Sequence, residues 1–206
     1  LAPADDKIIK VEHPLSIDAE GQLLASVMAK KYSVTANHVL IDIPMGKTTK
    51  AKNKKEANHL KKMFEMVGKK LNMNIKVIIT DGSSPVGNGV GPLLEAEDVM
   101  AILKDEPFAP EDLKEKSLRM AGILLEMAGK VKKGSNKGYK LAKEVLESGK
   151  AYVKMKDILK AQGKIPKPKL GTDLYHVKSK VSGKVIEIDC EDIAKIARIA
   201  GAPKDK

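Results

Sequence analysis

The chain has 206 residues, 42% of them hydrophobic, and a single cysteine, Cys190. That is enough for one ordinary core, or one core with a small appendage, and it excludes an internal disulfide, in keeping with a reducing cytoplasm. The formal charge of +11 favours phosphate-bearing partners, yet every basic residue except Arg119 and Arg198 is lysine and aromatics make up 3%, so side chains that read or stack on nucleic-acid bases are scarce.

No apolar run approaches the roughly 20 residues of a membrane helix, and no signal peptide opens the chain. The start, Leu1-Ala2-Pro3-Ala4 without Met, reads as the interior of a longer polypeptide. Lys7 to Val11 is expected as a short strand stopped by Pro14. A helix is predicted from Glu20 to Tyr32, with Asp18 where an N-cap belongs. His38 to Ile43 is a compact apolar run ended by Pro44 and Gly46, which suggests a buried strand. From Lys55 to Leu71, Leu60, Met63, Phe64, Val67 and Leu71 recur at helical spacing, and Asn74 to Thr80 is a second buried strand. Strand, helix and strand with short connections form a parallel crossover unit.

A glycine-rich loop follows over Asp81–Gly91, then a helix from Pro92 to Lys104. Helices are expected near Pro110–Ala128, Lys137–Ser148 and Ala151–Gln162. Lys164-Ile165-Pro166-Lys167-Pro168-Lys169 reads as a stiff linker. Beyond it, Asp173–Lys180 and Lys184–Ile188 are expected to pair as a hairpin, followed by a helix over Glu191–Ile199. The fold class is thus α/β: a partial, mostly parallel sheet with crossover helices, then helices, then a small truncated α+β module at the C-terminus.

Three features carry chemistry. The loop Pro44-Met45-Gly46-Lys47-Thr48-Thr49-Lys50 is either a solvated basic turn or a phosphate holder through backbone donors and ammonium charge. In the second loop, Gly87, Gly89 and Gly91 lack the dinucleotide-binding spacing and permit positive φ or close backbone approach. Third, Gln22, Ser26 and Lys30 lie four apart and project from one helix face, where they line a cleft if the helix is buried by Leu23, Leu24, Val27 and Met28. Asp18 stands one turn upstream, as a helix cap or beside that cleft. His13, His38, His59 and His176 show no metal-ligand spacing, so no metal site is expected.

The segment Ala25-Ser26-Val27-Met28-Ala29-Lys30-Lys31 resembles the Ala-Ser-Ile-x-Ser-Lys-Lys segment of thymidine and pyrimidine nucleoside phosphorylases. Leu40-Ile41-Asp42-Ile43-Pro44-x-Gly46 is similar to their next strand and glycine loop. Ile79-Thr80-Asp81, Pro85-Val86-Gly87 and Gly91-Pro92-Leu93-Leu94-Glu95 are similar to the strand, loop and helix after it. The order is unbroken along nearly the whole chain. Leu1 to Asp6 and Pro14-Leu15-Ser16-Ile17-Asp18-x-Glu20-Gly21-Gln22 look most like the archaeal AMP phosphorylase branch.

The resemblance implies phosphorolysis of AMP to adenine and ribose 1,5-bisphosphate, with phosphate as co-substrate and no cofactor. It implies that Asp18 is the proton donor to the departing base, that Ser26 and Lys50 contact the nucleotide, and that Lys30 matches a base-contacting lysine. It further implies a central catalytic portion over 1–164, a linker over 165–171 and the start of a C-terminal domain over 172–206. The expected partners are nucleotide and phosphate, with neither nucleic acid nor membrane, and the full-length enzyme is expected to be a homo-oligomer. The family's phosphate-binding elements are expected upstream of Leu1, so the fragment alone is expected to be inactive. One departure bears on substrate: the nucleoside enzymes carry an arginine upstream of the Ser and Lys, and none stands between Val11 and Pro14. Ala29 also replaces a serine of the family segment. A pyrimidine nucleoside phosphorylase is the alternative within the family, and a lysine-rich nucleic-acid-binding module the alternative outside it.

Overall fold

A computed structural model describes residues 3–15, 19–134, 136–163 and 169–203. The chain divides into two compact units, 1–81 and 82–206. The linker expected over 164–169 lies outside the described residues except for Lys169, and so does Asp18.

The first unit opens with a helix rather than the expected strand: α1 spans Pro3–Glu12, and a single 3-10 turn follows at His13–Leu15. The five-residue segment Lys7–Val11, with Ile8, Ile9 and Val11 apolar, is ambiguous in periodicity, and its flanks decide the matter. Proline stands at the first helical position, where its fixed φ fits and no N–H is missed, while Asp5 and Asp6 in the first turn and Lys10 in the last suit the helix dipole. Helix α2 covers Glu20–Ser33 and buries Leu24 and Met28. Its N-cap is Ala19, which supplies no side-chain cap.

Strands β1 (His38–Met45) and β2 (Asn74–Asp81) pair in parallel, with His38 opposite Asn74 and Met45 opposite Asp81. Helix α3, Lys54–Lys70, makes the crossover between them. Alternation along β1 sends Val39, Ile41 and Ile43 into the core, as the period-two geometry of a strand requires. They meet Ala57, Leu60 and Phe64 from the apolar stripe of α3, Val77 from β2, and Leu24 and Met28 from α2. Asn53 caps α3 by accepting from the Lys55 and Glu56 amides at 3.0 Å each, while Glu56 accepts from the Lys52 amide at 2.9 Å. Strand β1 runs two residues beyond the expected end because a proline is tolerated where a strand edge needs no further donor.

The second unit is helical: α4 Pro92–Leu103, α5 Glu111–Met127, α6 Lys137–Glu147, α7 Lys150–Gln162 and α8 Cys190–Ile199. Its core gathers Ile102, Leu118, Ala142 and Leu146. Helices α5 and α6 approach so closely that a Cβ on Gly138 would run into the backbone of Gly122, and one on Gly122 into that of Tyr139. Tyr139 donates its hydroxyl to Glu115 at 2.7 Å across the same interface. The expected hairpin is not formed: the described residues between 169 and 189 contain no strand. Two strands with no third strand or helix over their apolar face are marginal in water, and here Tyr175 and Ile186 are 91% and 95% exposed. The expected C-terminal helix is present as α8, capped by Asp189, which accepts from the Glu191 and Asp192 amides.

Because the neighbours of Gly138 are backbone atoms that cannot swing aside, Gly138→Ala is expected to cost about 1–3 kcal/mol, as overpacking does. A urea titration of the two proteins checks this: an unchanged midpoint means that α5 and α6 do not depend on that approach.

Candidate functional site

Helix α2 puts Gln22, Ser26 and Lys30 on one face, while Leu24 and Met28 bury the other. This is the stripe the spacing predicts. What the spacing does not disclose is its partner. Asp5, projecting from α1, is only 8% exposed, the one charged or polar residue that is buried among the described residues. Gln22 Nε2 donates to Asp5 Oδ1 at 3.0 Å, and Ser26 Oγ donates to Asp5 Oδ2 at 2.8 Å. Lys30 Nζ lies 2.7 Å from Oδ2 and also donates to Ser26 Oγ at 3.2 Å.

The Lys30 ammonium, and next the Ser26 hydroxyl, hold the Asp5 carboxyl below the usual carboxylate range, outweighing the opposing effect of burial. The group therefore stays ionised at neutral pH. The arrangement is a set of donors already converged on an anion, with the Lys30 side chain still 39% exposed. Sequence reasoning assigned no role to Asp5. The signal was indirect: a polar stripe on a largely buried helix must find acceptors, and an acidic first turn stood upstream.

Of the other expected site residues, Ser26 and Lys30 are joined directly, and Lys50 sits exposed in a separate loop after β1. That loop is self-closing. The Thr49 hydroxyl accepts from the Gly46 amide at 3.0 Å and donates to the Ala51 carbonyl at 2.8 Å, and Met45 bridges to Ala51. The Thr49 hydroxyl and the Gly46 amide are thus engaged within the loop.

The glycine loop is closed by acids. Asp98 Oδ2 accepts from the amides of Asn88 and Gly89 at 2.8 and 2.7 Å, Asp112 from Gly87 at 3.1 Å, and Glu95 from Gly91 at 2.9 Å. Gly87 and Gly91 adopt the positive φ that the sequence allows for, and Gly89 lies against the Leu94 backbone. These amides bind carboxylates of their own unit, so a phosphate here would displace them against like charge. Among the described residues, no group of three His, Cys, Asp or Glu side chains is placed to hold a metal, and no helix is long and apolar enough to cross a membrane.

No protein-family model matches the chain. Curated proteins do. The chain is 44% identical over 208 residues to a protein of Albidiferax ferrireducens, 45% over 207 to one of Methylococcus capsulatus and 48% over 207 to one of Rhodopseudomonas palustris, each named "Putative thymidine phosphorylase". These relatives support the thymidine and pyrimidine nucleoside phosphorylase family. The match takes in 99–100% of this chain and 40% of each relative, so the chain spans about two fifths of their length. The similarity spans both units.

The ion-paired cluster has a pH signature. Asp5 binds its proton more weakly folded than unfolded, so its stabilisation is complete above the ordinary aspartate pKa of about 3.9 and is lost as pH falls through the lowered folded value. Asp5→Asn is therefore expected to lower the melting temperature at pH 7 and to have a much smaller effect near pH 2. Equal losses at both pH values would show that the ionised carboxylate contributes nothing to the fold.

Proposed function

We propose that the protein carrying this chain cleaves the N-glycosidic bond of a nucleoside 5'-monophosphate by phosphorolysis, converting AMP and phosphate to adenine and ribose 1,5-bisphosphate. The observation that carries the reaction class is the similarity of the whole chain to proteins named "Putative thymidine phosphorylase". The donor cluster on α2 supports it chemically. As phosphate attacks the anomeric carbon and the bond to the base breaks, negative charge grows on the departing heterocycle. An ammonium such as Lys30 stabilises that charge, and a hydroxyl such as Ser26 orients the ring.

In this reading Asp18, two residues ahead of α2, is the acid that protonates the leaving base, and a carboxyl in that role must hold its proton near neutral pH. Lys50 contacts the nucleotide. The AMP assignment draws on the stretch Pro14 to Gln22 and on the lack of an arginine between Val11 and Pro14, where a pyrimidine-contacting guanidinium would be expected. A second reading, phosphorolysis of thymidine or another pyrimidine nucleoside, is favoured by the names of the relatives. Phosphate is a co-substrate in both, and no cofactor is required.

The test is release of free base from AMP, CMP, uridine and thymidine by the protein carrying this chain, with and without phosphate. AMP is expected to be split fastest and only with phosphate present. Faster release of thymine gives the second reading, and release of no base from any of the four, together with binding of DNA or RNA that falls steeply with salt, overturns both. Asp18→Asn is expected to lower kcat by about 10²–10⁴-fold, the usual worth of a general acid; wild-type turnover in that variant would remove Asp18 from the mechanism.

A further inference from the structure

Asp5 has no part in the chemistry above, yet it is the most enclosed charge described, and Gln22, Ser26 and Lys30 of α2 all turn toward it. A serine hydroxyl has one proton and two lone pairs, and an ionised carboxylate only accepts. Ser26 gives its proton to Asp5 Oδ2 at 2.8 Å and takes an N–H from Lys30 at 3.2 Å. One lone pair is left for a ligand. Lys30 has three N–H groups, of which one meets Asp5 at 2.7 Å and one meets Ser26. One donor is left for a ligand.

We propose that Asp5 is a positioning residue of this site: by taking the Ser26 proton and pairing with Lys30, it makes Ser26 an acceptor and Lys30 a donor toward the base. The base that fits must offer an N–H to Ser26 and a neighbouring oxygen or unprotonated ring nitrogen to Lys30. Without the carboxylate, the hydroxyl rotates freely between donor and acceptor and the ammonium loses its anchor. An asparagine at this position carries no charge and a single acceptor atom, so it cannot hold all three donors. The role in turnover rests on the phosphorolysis reading; the hydroxyl's polarity rests on the geometry of Asp5, Ser26 and Lys30 alone.

Two measurements test it in the protein carrying this chain. With AMP or thymidine and phosphate, Asp5→Asn is expected to lower kcat about ten- to hundredfold, the worth of a charge-assisted hydrogen bond, with KM moving by no more than about threefold. Asp5→Glu should recover part of the loss. In a Ser26→Ala, Lys30→Ala background the same Asp5→Asn change should cost no more than about twofold, because the effect passes through those two side chains. Additive losses, or full activity in Asp5→Asn, overturn the proposal. The second measurement needs no turnover: acylation of Lys30, mapped by mass spectrometry, is expected to be several-fold faster in Asp5→Asn than in wild type while lysines elsewhere label equally. If the wild-type protein splits neither substrate, the phosphorolysis reading fails and the labelling still decides whether Asp5 holds Lys30; equal labelling in both proteins sinks that too.

Discussion

A carboxylate leaves water only where other donors replace its hydration. Asp5 is placed on one side of such an exchange, with Gln22, Ser26 and Lys30 on the other. The exchange ties α1 to α2 and gives the polar face of α2 a defined orientation. The same hydrogen bonds therefore serve two levels at once: they dock α1 on α2, and they hold in place Ser26 and Lys30, the two side chains that the proposed reaction would set against the base. A site whose groups are held by their neighbours is preorganised, so no reorientation is needed as charge develops.

Behind that face lies the parallel crossover. β1 and β2 bury alternate residues against the stripe of α3, and α2 packs Leu24 and Met28 on the same core. This layer positions α2, and with it the backbone that carries Ser26 and Lys30. The loop after β1 is braced by Thr49 and by the bridge from Met45 to Ala51, which fixes the base of the segment that ends at Lys50. Open α/β sheets collect ligands beyond the carboxyl ends of their strands, and this loop stands at that end of β1.

The second unit illustrates how loop chemistry depends on what surrounds it. Glycines 87, 89 and 91 have the freedom of a phosphate-binding loop, yet Asp98, Asp112 and Glu95 occupy their amides. The glycines there serve a tight, acid-capped turn leading into α4. The close approach of α5 to α6 at Gly122 and Gly138 is a second case in which absent side chains set the geometry. Both uses of glycine follow from the missing Cβ.

Local periodicity was enough to read β1, α3, β2 and the later helices, because strand alternation and the helical repeat are consequences of backbone geometry that each segment carries within itself. The common face of Gln22, Ser26 and Lys30 was legible for the same reason, and the kinship with phosphorylases was legible in the ordered run of short motifs. The sequence could not say what that face meets. Asp5 lies far upstream in a segment whose short apolar run suits a strand or a helix equally, and its role appears only once α1 folds and packs beside α2. Likewise the alternating pattern from Asp173 to Ile188 suits a hairpin, but strands form only where something covers them. Tertiary structure decided these points because burial, and with it the pairing of charges, depends on neighbours that are distant in the chain.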